Sequence, residues 1–205
     1  SRLIQKEDEA VNALTEAQSK KLATAFETMV PKMEKMELRV QTEALAEDDA
    51  PIVVTQSEYM RRMKEMAQFQ GGMSFYGEMP DMYNVVLNSN HPLVKKVMTE
   101  VESATSESLK PIENEMRGLN ARLQVLEQEQ KDKKYDEITE AERKDLQECR
   151  DAIAAEEAKQ KEVLATFANG NAVIPQLIDL ALLQNGMLKG EALNNFVKRS
   201  IEMIK

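Results

Sequence analysis

Few side chains in this sequence could act in catalysis. His91 is the only histidine and Cys149 the only cysteine, so neither has the partners that a zinc site of the usual kind requires. We interpret His91, beside a proline at a predicted helix start, as structural, and Cys149, in an apolar helical seam, as an inert small side chain. Neighbouring carboxylates such as Asp48 and Asp49 are interpreted as solvated turn residues and not as a general acid and base. The seven glycines form no phosphate-binding loop, so we expect no catalytic residues, no metal and no bound cofactor in this chain.

The side chains with the clearest binding chemistry are methionines and aromatics that begin at residue 60. The chain has 13 methionines, whose flexible and polarizable side chains are over-used on surfaces that bind many partners. The first four residues of the cluster span a wider arc than one buried helix face requires, and Gly71 and Gly72 follow directly. We therefore predict a partly exposed amphipathic helix that binds other proteins; packing of this helix on a sheet as ordinary core is the alternative. The residues assigned to binding are Met60, Met63, Met66, Phe69, Met73, Phe75 and Tyr76.

Composition excludes several classes of partner. The net charge of −9 argues against nucleic acid, because binding to phosphates requires clustered lysine and arginine. No apolar run approaches the roughly 18 residues that cross a membrane, and no signal peptide opens the chain. A single cysteine rules out an internal disulfide and suits a reducing compartment, so we expect a cytoplasmic protein. The chain opens without methionine and without a helix-start signal, which suggests a domain taken from a longer protein.

The elements that position the methionine cluster are predicted from periodicity. Thr15 and Gln18 form a capping-box signature, which predicts the start of a helix. Apolar and polar residues alternate strictly over 36–43, which predicts a strand with one buried face. A second short strand is predicted at 52–54 and a third at 82–87. Because an acidic turn joins the first two strands, we expect them to form a hairpin.

The middle of the chain has a sustained heptad pattern. Apolar residues from Leu109 to Leu126 recur at intervals of three and four, and a returning arm with a weaker version of this pattern follows a polar turn. Thr139 and Glu142 form a second capping box at the start of that arm. Residues 106–168 are therefore predicted to form an antiparallel coiled-coil hairpin with arms about 40 Å long.

The last stretch, 169–205, is predicted to contain two helices. The first is apolar on almost every side, and such a helix must be buried on all sides. Two short helices cannot bury each other that well, so we predict that a second copy of the chain covers them in a four-helix bundle. Packing against the chain's own sheet unit is the alternative. The residues assigned to the dimer interface are Leu177, Ile178, Ala181, Leu182, Leu193, Phe196, Val197 and Ile201.

The predicted fold class is α+β. It combines a small three-stranded sheet with packed helices, a long antiparallel coiled-coil helical hairpin, and a C-terminal helix pair that forms a dimeric four-helix bundle. The expected division is 1–35 as an entry segment with a helix, 36–105 as the α/β part, 106–168 as the hairpin extension and 169–205 as the dimerisation helices.

Three segments resemble the C-terminal domain of the heat shock protein 90 family of molecular chaperones, bacterial HtpG type. IVVTQSEYMRRMKEMAQ at 52–68 is similar to the family's strand and methionine-bearing helix. YNVVLNSNHPLVKKV at 83–97 is similar to its strand, asparagine-rich turn and following helix. LIDLALLQNGMLKGEALNNFVKRSIEMI at 177–204 is similar to its terminal dimerising helices. The resemblance covers 36–100 and 171–204, and it extends to 1–35 as the end of the family's middle domain.

This resemblance implies a parent protein that is an ATP-driven homodimeric chaperone, whose ATP and magnesium bind in an N-terminal domain outside this chain. It also implies that unfolded or partly folded client proteins contact Met60, Met63, Met66 and Phe69. By the same resemblance, the assigned interface residues lie in or near the dimer bundle. The fragment itself is not expected to be an enzyme.

Two departures from the family pattern qualify the resemblance. The chain lacks the acidic Met-Glu-Glu-Val-Asp ending of the eukaryotic cytosolic members, which favours a bacterial protein. The hairpin at 106–168 is longer than the family's usual connection, and the resemblance assigns it no role. The competing hypothesis is a free-standing coiled-coil adaptor or scaffold protein that binds a partner through its methionine-rich helix.

Overall fold

The computed structural model describes residues 11–56, 58–69, 80–131, 133–134 and 137–205. Within these residues the chain forms three strands and six helices. The strands are β1 (Met36–Glu43), β2 (Ile52–Gln56) and β3 (Asp81–Asn88). The helices are α1 (Glu16–Glu27), α2 (Glu58–Phe69), α3 (Pro92–Lys131), α4 (Glu140–Gly170), α5 (Val173–Gln184) and α6 (Gly190–Ile204). The α+β class and the three-stranded sheet are confirmed.

Helix α1 begins at the predicted capping box. The backbone N–H of Gln18 donates to the Thr15 hydroxyl at 3.2 Å, and the Gln18 side chain accepts from the Thr15 N–H at 3.0 Å. Two donors left free at the helix start are thereby satisfied. The helix then buries Leu22 and Phe26, which fall one turn apart on the same face.

The sheet has the order β1-β3-β2, with β3 parallel to β1 and antiparallel to β2. The predicted hairpin of the first two strands is therefore wrong, because β3 lies between them. β3 is apolar at three consecutive positions and buried over 85–88, which suits a central strand covered on both faces. The buried Asn88 side chain also binds the loop that leaves β1: it accepts from the Leu45 N–H at 3.3 Å and donates to the Ala46 carbonyl at 2.7 Å.

One hydrophobic core joins segments that the sequence assigned to different units. Leu22 of α1, Leu87 of β3, Leu109 of α3, Leu164 of α4 and Leu182 of α5 belong to the same buried cluster. Helix α3 runs without interruption through the predicted boundary at residue 105. The base of the hairpin is thus continuous with the body of the chain.

Helices α3 and α4 form an antiparallel pair. At the base, Asn171 donates to Glu100 at 2.9 Å, and near the tip the Gln130 side chain donates to the Glu142 carbonyl, also at 2.9 Å. As α3 runs from residue 100 to residue 130, its contacts therefore move backwards along the chain from residue 171 to residue 142. At 1.5 Å per residue the 40-residue α3 is about 60 Å long. The coiled-coil packing of this pair stays a prediction.

The second predicted capping box begins α4. The Glu142 N–H donates to the Thr139 hydroxyl at 3.2 Å, and the Glu142 carboxylate accepts from the Thr139 N–H at 2.8 Å. A hydrogen bond from Lys133, followed by that from the Thr139 backbone, lowers the pKa of Glu142 from 4.5 to about 2. The turn at the hairpin tip is thus held by a carboxylate that stays charged across the neutral range.

Helix α5 is covered within a single copy of the chain. It packs against β2, α1 and α6, and Ile174, Ile178 and Leu182 are almost fully buried. The helix ends in a Schellman motif: the Met187 N–H donates to the Leu182 carbonyl at 2.8 Å and the Gly186 N–H to the Leu183 carbonyl at 3.0 Å. Gly186 has a φ of 66°, which a residue with a Cβ adopts only with strain.

Two glycine-to-alanine substitutions are expected to have opposite effects on stability. Gly118 lies in mid-helix, and an added Cβ would meet no atom within 4 Å, so Gly118→Ala should raise the free energy of unfolding by about 1 kcal/mol. Gly186→Ala should lower it by about 1–2 kcal/mol because of its left-handed conformation. Urea unfolding followed by circular dichroism measures both. Equal effects of the same sign would contradict the assigned conformations.

Candidate functional site

The side chains with catalytic potential have structural roles in this fold. The His91 Nδ1 accepts a hydrogen bond from the Leu93 N–H at 3.1 Å, at the first turn of α3. The Cys149 thiol is 3% exposed and donates to the Leu119 carbonyl at 3.4 Å, inside the seam between α3 and α4. Over the described ranges, no three or more His, Cys, Asp or Glu residues are grouped so that they could hold a metal ion.

An uncovered apolar surface lies on α6. Val197 is 46% exposed, Ile201 53% and Ile204 85%, and these three residues recur at helical spacing. On the adjoining side of the same helix, Leu193 and Phe196 are half-buried against the core. The apolar arc of α6 is thus wider than the surface that α5 covers. We call its uncovered half, formed by Val197, Ile201 and Ile204, the α6 stripe.

The residues assigned to a dimer interface divide into two groups in the structure. The four residues of α5 are at most 5% exposed in one copy of the chain, so they belong to its core: Leu177, Ile178, Ala181 and Leu182. The residues of α6 lie closer to the surface, and Val197 and Ile201 reach solvent. Three further exposed apolar residues near them were not assigned: Leu183, Met203 and Ile204. Helical spacing from Val197 and Ile201 could have identified Ile204, but the exposure of Leu183 depends on how α5 packs.

A polar network joins α5 and α6 on the side of α6 that is opposite the α6 stripe. The Arg199 guanidinium donates to the Asp179 carboxylate and, through Nε, to the Gln176 side chain at 3.3 Å. Gln176 in turn donates to the Ser200 hydroxyl at 2.6 Å. Burial raises the pKa of Asp179, although the hydrogen bond from Arg199 opposes that effect. The network is shielded, since the side chains of Arg199 and Asp179 are 29% and 16% exposed.

Helix α2 forms where the methionine-bearing helix was predicted. Met66 is 56% exposed and Met63 is half-buried. Ion pairs four residues apart stabilise the helix: Arg61 pairs with Glu65 at 3.2 Å, and Arg62 pairs with Glu58. The side chains of Met60 and Phe69, and the assigned residues Met73, Phe75 and Tyr76, lie outside the described residues. The part of the cluster that the structure describes therefore has one methionine at the surface.

No helix within the described residues is both long enough and apolar enough to cross a membrane.

Comparison with known proteins identifies closely similar sequences. The chain is 52% identical over 202 residues to the chaperone protein HtpG of Bacteroides thetaiotaomicron, which is 98% of this chain and 30% of that relative. It is likewise 52% identical over 203 residues to HtpG of a Bacteroides fragilis strain. The identity to HtpG of Porphyromonas gingivalis is 42% over 210 residues, with the same coverage of 98% and 30%. The chain therefore spans about 30% of the length of the curated relatives that it matches.

Two other comparisons gave no match. No protein-family model matches the chain, and no solved structure matches it. The relationship thus depends on sequence identity that extends over almost the whole of this chain.

Proposed function

We propose that this chain, a member of the HtpG family of chaperones, forms a homodimer through α6 and contacts client proteins through α2. In this proposal the dimer is isologous, so that the same surface on each copy meets its counterpart across a two-fold axis. The α5–α6 pairs of the two copies would then form a four-helix bundle.

The observation that carries the dimer proposal is the exposure of the α6 stripe. Three large aliphatic side chains at helical spacing lie at the surface, beside Phe196 on the same helix. Complete burial of each such side chain contributes about 1.5–3 kcal/mol, which opposes the cost of bringing two copies together. A second α6 stripe is a complementary surface of matching size, because it has the same residues.

The client proposal is supported by Met66 and by the charges around it. Met66 is exposed on a helix whose neighbouring side chains form ion pairs, so it offers an adaptable apolar contact within a charged surface. Such a surface suits weak binding of many different partly folded chains. The relatives are named as chaperones, which agrees with this role.

The parent protein in this proposal hydrolyses ATP with a domain outside these 205 residues, and it works in the cytoplasm. The chain itself contributes association and client contact, without nucleotide or metal. A free-standing adaptor is not favoured, because identity to chaperones extends over 98% of the chain.

Substitution of Met66 tests the client proposal. Met66→Ala should weaken suppression of a model substrate's aggregation, while the free energy of unfolding changes by less than about 1 kcal/mol because the side chain is exposed. Val125→Ala, at a similarly exposed apolar position on α3, is the matched control and should retain suppression. Light scattering of the substrate and thermal unfolding give the two readouts. Unchanged suppression by Met66→Ala would remove the role assigned to this side chain.

A further inference from the structure

Helix α6 carries the α6 stripe but is attached to the body by limited contacts. None of its residues is fully buried in a single copy, and its N-cap residue, Lys189, makes no side-chain capping hydrogen bond. The connection from α5 contains Gly186 and ends at Gly190, with φ values of 66° and 60°. Leu188 of this connection is buried in the core, so the start of α6 is held in place, but a single anchored residue does not fix the rotation of α6 about its own axis.

The Arg199 network adds a polar constraint to the packing of Leu193 and Phe196 on the core. The guanidinium of Arg199 reaches two side chains of α5, Asp179 and Gln176, which lie one turn apart. Two contacts from one planar group resist both sliding and rotation of α6 more strongly than a single point contact does. Ser200 adds a second connection, because its hydroxyl accepts from Gln176 and donates to the Phe196 carbonyl at 2.9 Å.

The position of Arg199 on the helix determines where the α6 stripe faces. Successive residues of an α-helix are about 100° apart, so Arg199 and Ile201 lie on nearly opposite sides of α6. Anchoring Arg199 on α5 therefore directs Ile201 away from the body. A rotation of α6 that released Arg199 would turn Ile201 toward α5 and break up the exposed stripe.

We infer that Arg199, with Asp179 and Gln176, is a positioning device for the dimer interface: it orients α6 so that the α6 stripe faces a second copy of the chain. This inference rests on the proposed dimer. The apolar side chains of the α6 stripe make the contact between the two copies. The shielded polar network holds α6 in the orientation that exposes those side chains.

The test compares dimer dissociation constants with thermal unfolding for four variants. Arg199→Met and Asp179→Asn each remove one side of the network, and Lys198→Gln removes a cation from the adjacent exposed position, without adding an apolar side chain, as a control. The fourth variant combines Asp179→Arg with Arg199→Asp, which restores an ion pair between α5 and α6 with reversed polarity. Sedimentation velocity over a dilution series gives the dissociation constants, and circular dichroism reports helix content.

We expect Arg199→Met and Asp179→Asn each to weaken the dimer about tenfold or more, as loss of a shielded charged hydrogen bond would do. Helix content should be unchanged, Lys198→Gln should match the wild-type chain, and the charge-reversed pair should recover most of the lost affinity. Wild-type affinity in both single variants would overturn the inference. Failure of the charge-reversed pair to recover affinity would also overturn it, because the residues would then act independently of their contact. A wild-type chain that is monomeric at every concentration would refute the proposed dimer itself, which is a distinct result.

Discussion

Ile201→Asp is expected to convert the dimer to monomers at micromolar concentration, with a dissociation constant raised at least about a hundredfold, equivalent to about 3 kcal/mol. Ile201 is 53% exposed at the centre of the α6 stripe, so a carboxylate there leaves the monomer's core intact. Across a two-fold axis the substitution places two carboxylates in one apolar contact, and each must be desolvated without a partner.

The matched control for this substitution is Val125→Asp. Val125 is an aliphatic side chain on α3 that is 57% exposed, so its substitution introduces the same charge at a similar exposure outside the proposed contact. Multi-angle light scattering should therefore report a dimer for Val125→Asp and a monomer for Ile201→Asp. If Ile201→Asp remains dimeric at the concentration that keeps the control dimeric, the interface lies elsewhere on the chain.

Leu182→Ala is expected to lower the free energy of unfolding by about 2–5 kcal/mol, because it opens a cavity in a fully buried site. The neighbouring substitution, Leu183→Ala, should cost less than about 1 kcal/mol, since Leu183 is 37% exposed and its surroundings include solvent. Both substitutions make the same chemical change on one helix, so the difference between their effects compares a core position with a surface position.

Urea unfolding of the two alanine variants gives this comparison, at a protein concentration low enough for the wild-type chain to be monomeric. At that concentration any loss of stability reports the fold of one copy. Similar losses for Leu182 and Leu183 would mean that α5 does not pack on the sheet as described. A larger loss at Leu183 would point instead to a different rotation of α5 about its axis.

Features determined by local chemistry could be predicted from the sequence. Both capping boxes form as expected, because each one joins side chains and backbone groups only three residues apart. The strands at 36–43, 52–56 and 81–88 follow from short patterns of alternating or continuous apolar residues. The terminating glycine of α5, Gly186, likewise follows from the chain's own geometry.

Features determined by distant contacts could not be predicted in the same way. The hairpin of β1 and β2 was expected because the two strands are neighbours in sequence, whereas β3 pairs with both of them. Helix α3 runs through the predicted boundary at residue 105, because Val101 and Leu109 on either side of that boundary both pack in the core. In each case tertiary packing outweighs a local preference.

The candidate site also combines features that the local sequence predicts with features that depend on distant contacts. An apolar helix such as α5 must be covered, but its sequence does not say whether the cover comes from the same chain or from a second copy. The structure covers α5 within one copy and leaves part of α6 exposed, so the proposed contact moves toward Val197, Ile201 and Ile204. The pairing of Asp179 with Arg199 joins residues 20 positions apart and has no signature in the sequence.

If two copies of this chain associate through α6, sedimentation equilibrium of the wild-type chain will detect the pair. At tens of micromolar we expect a molar mass of about twice the 23.2 kDa of one chain, since an isologous contact closes at two copies. On dilution the mass should fall toward that of a single chain as the contact dissociates. A mass of 23.2 kDa at every concentration would show that the chain does not form this dimer.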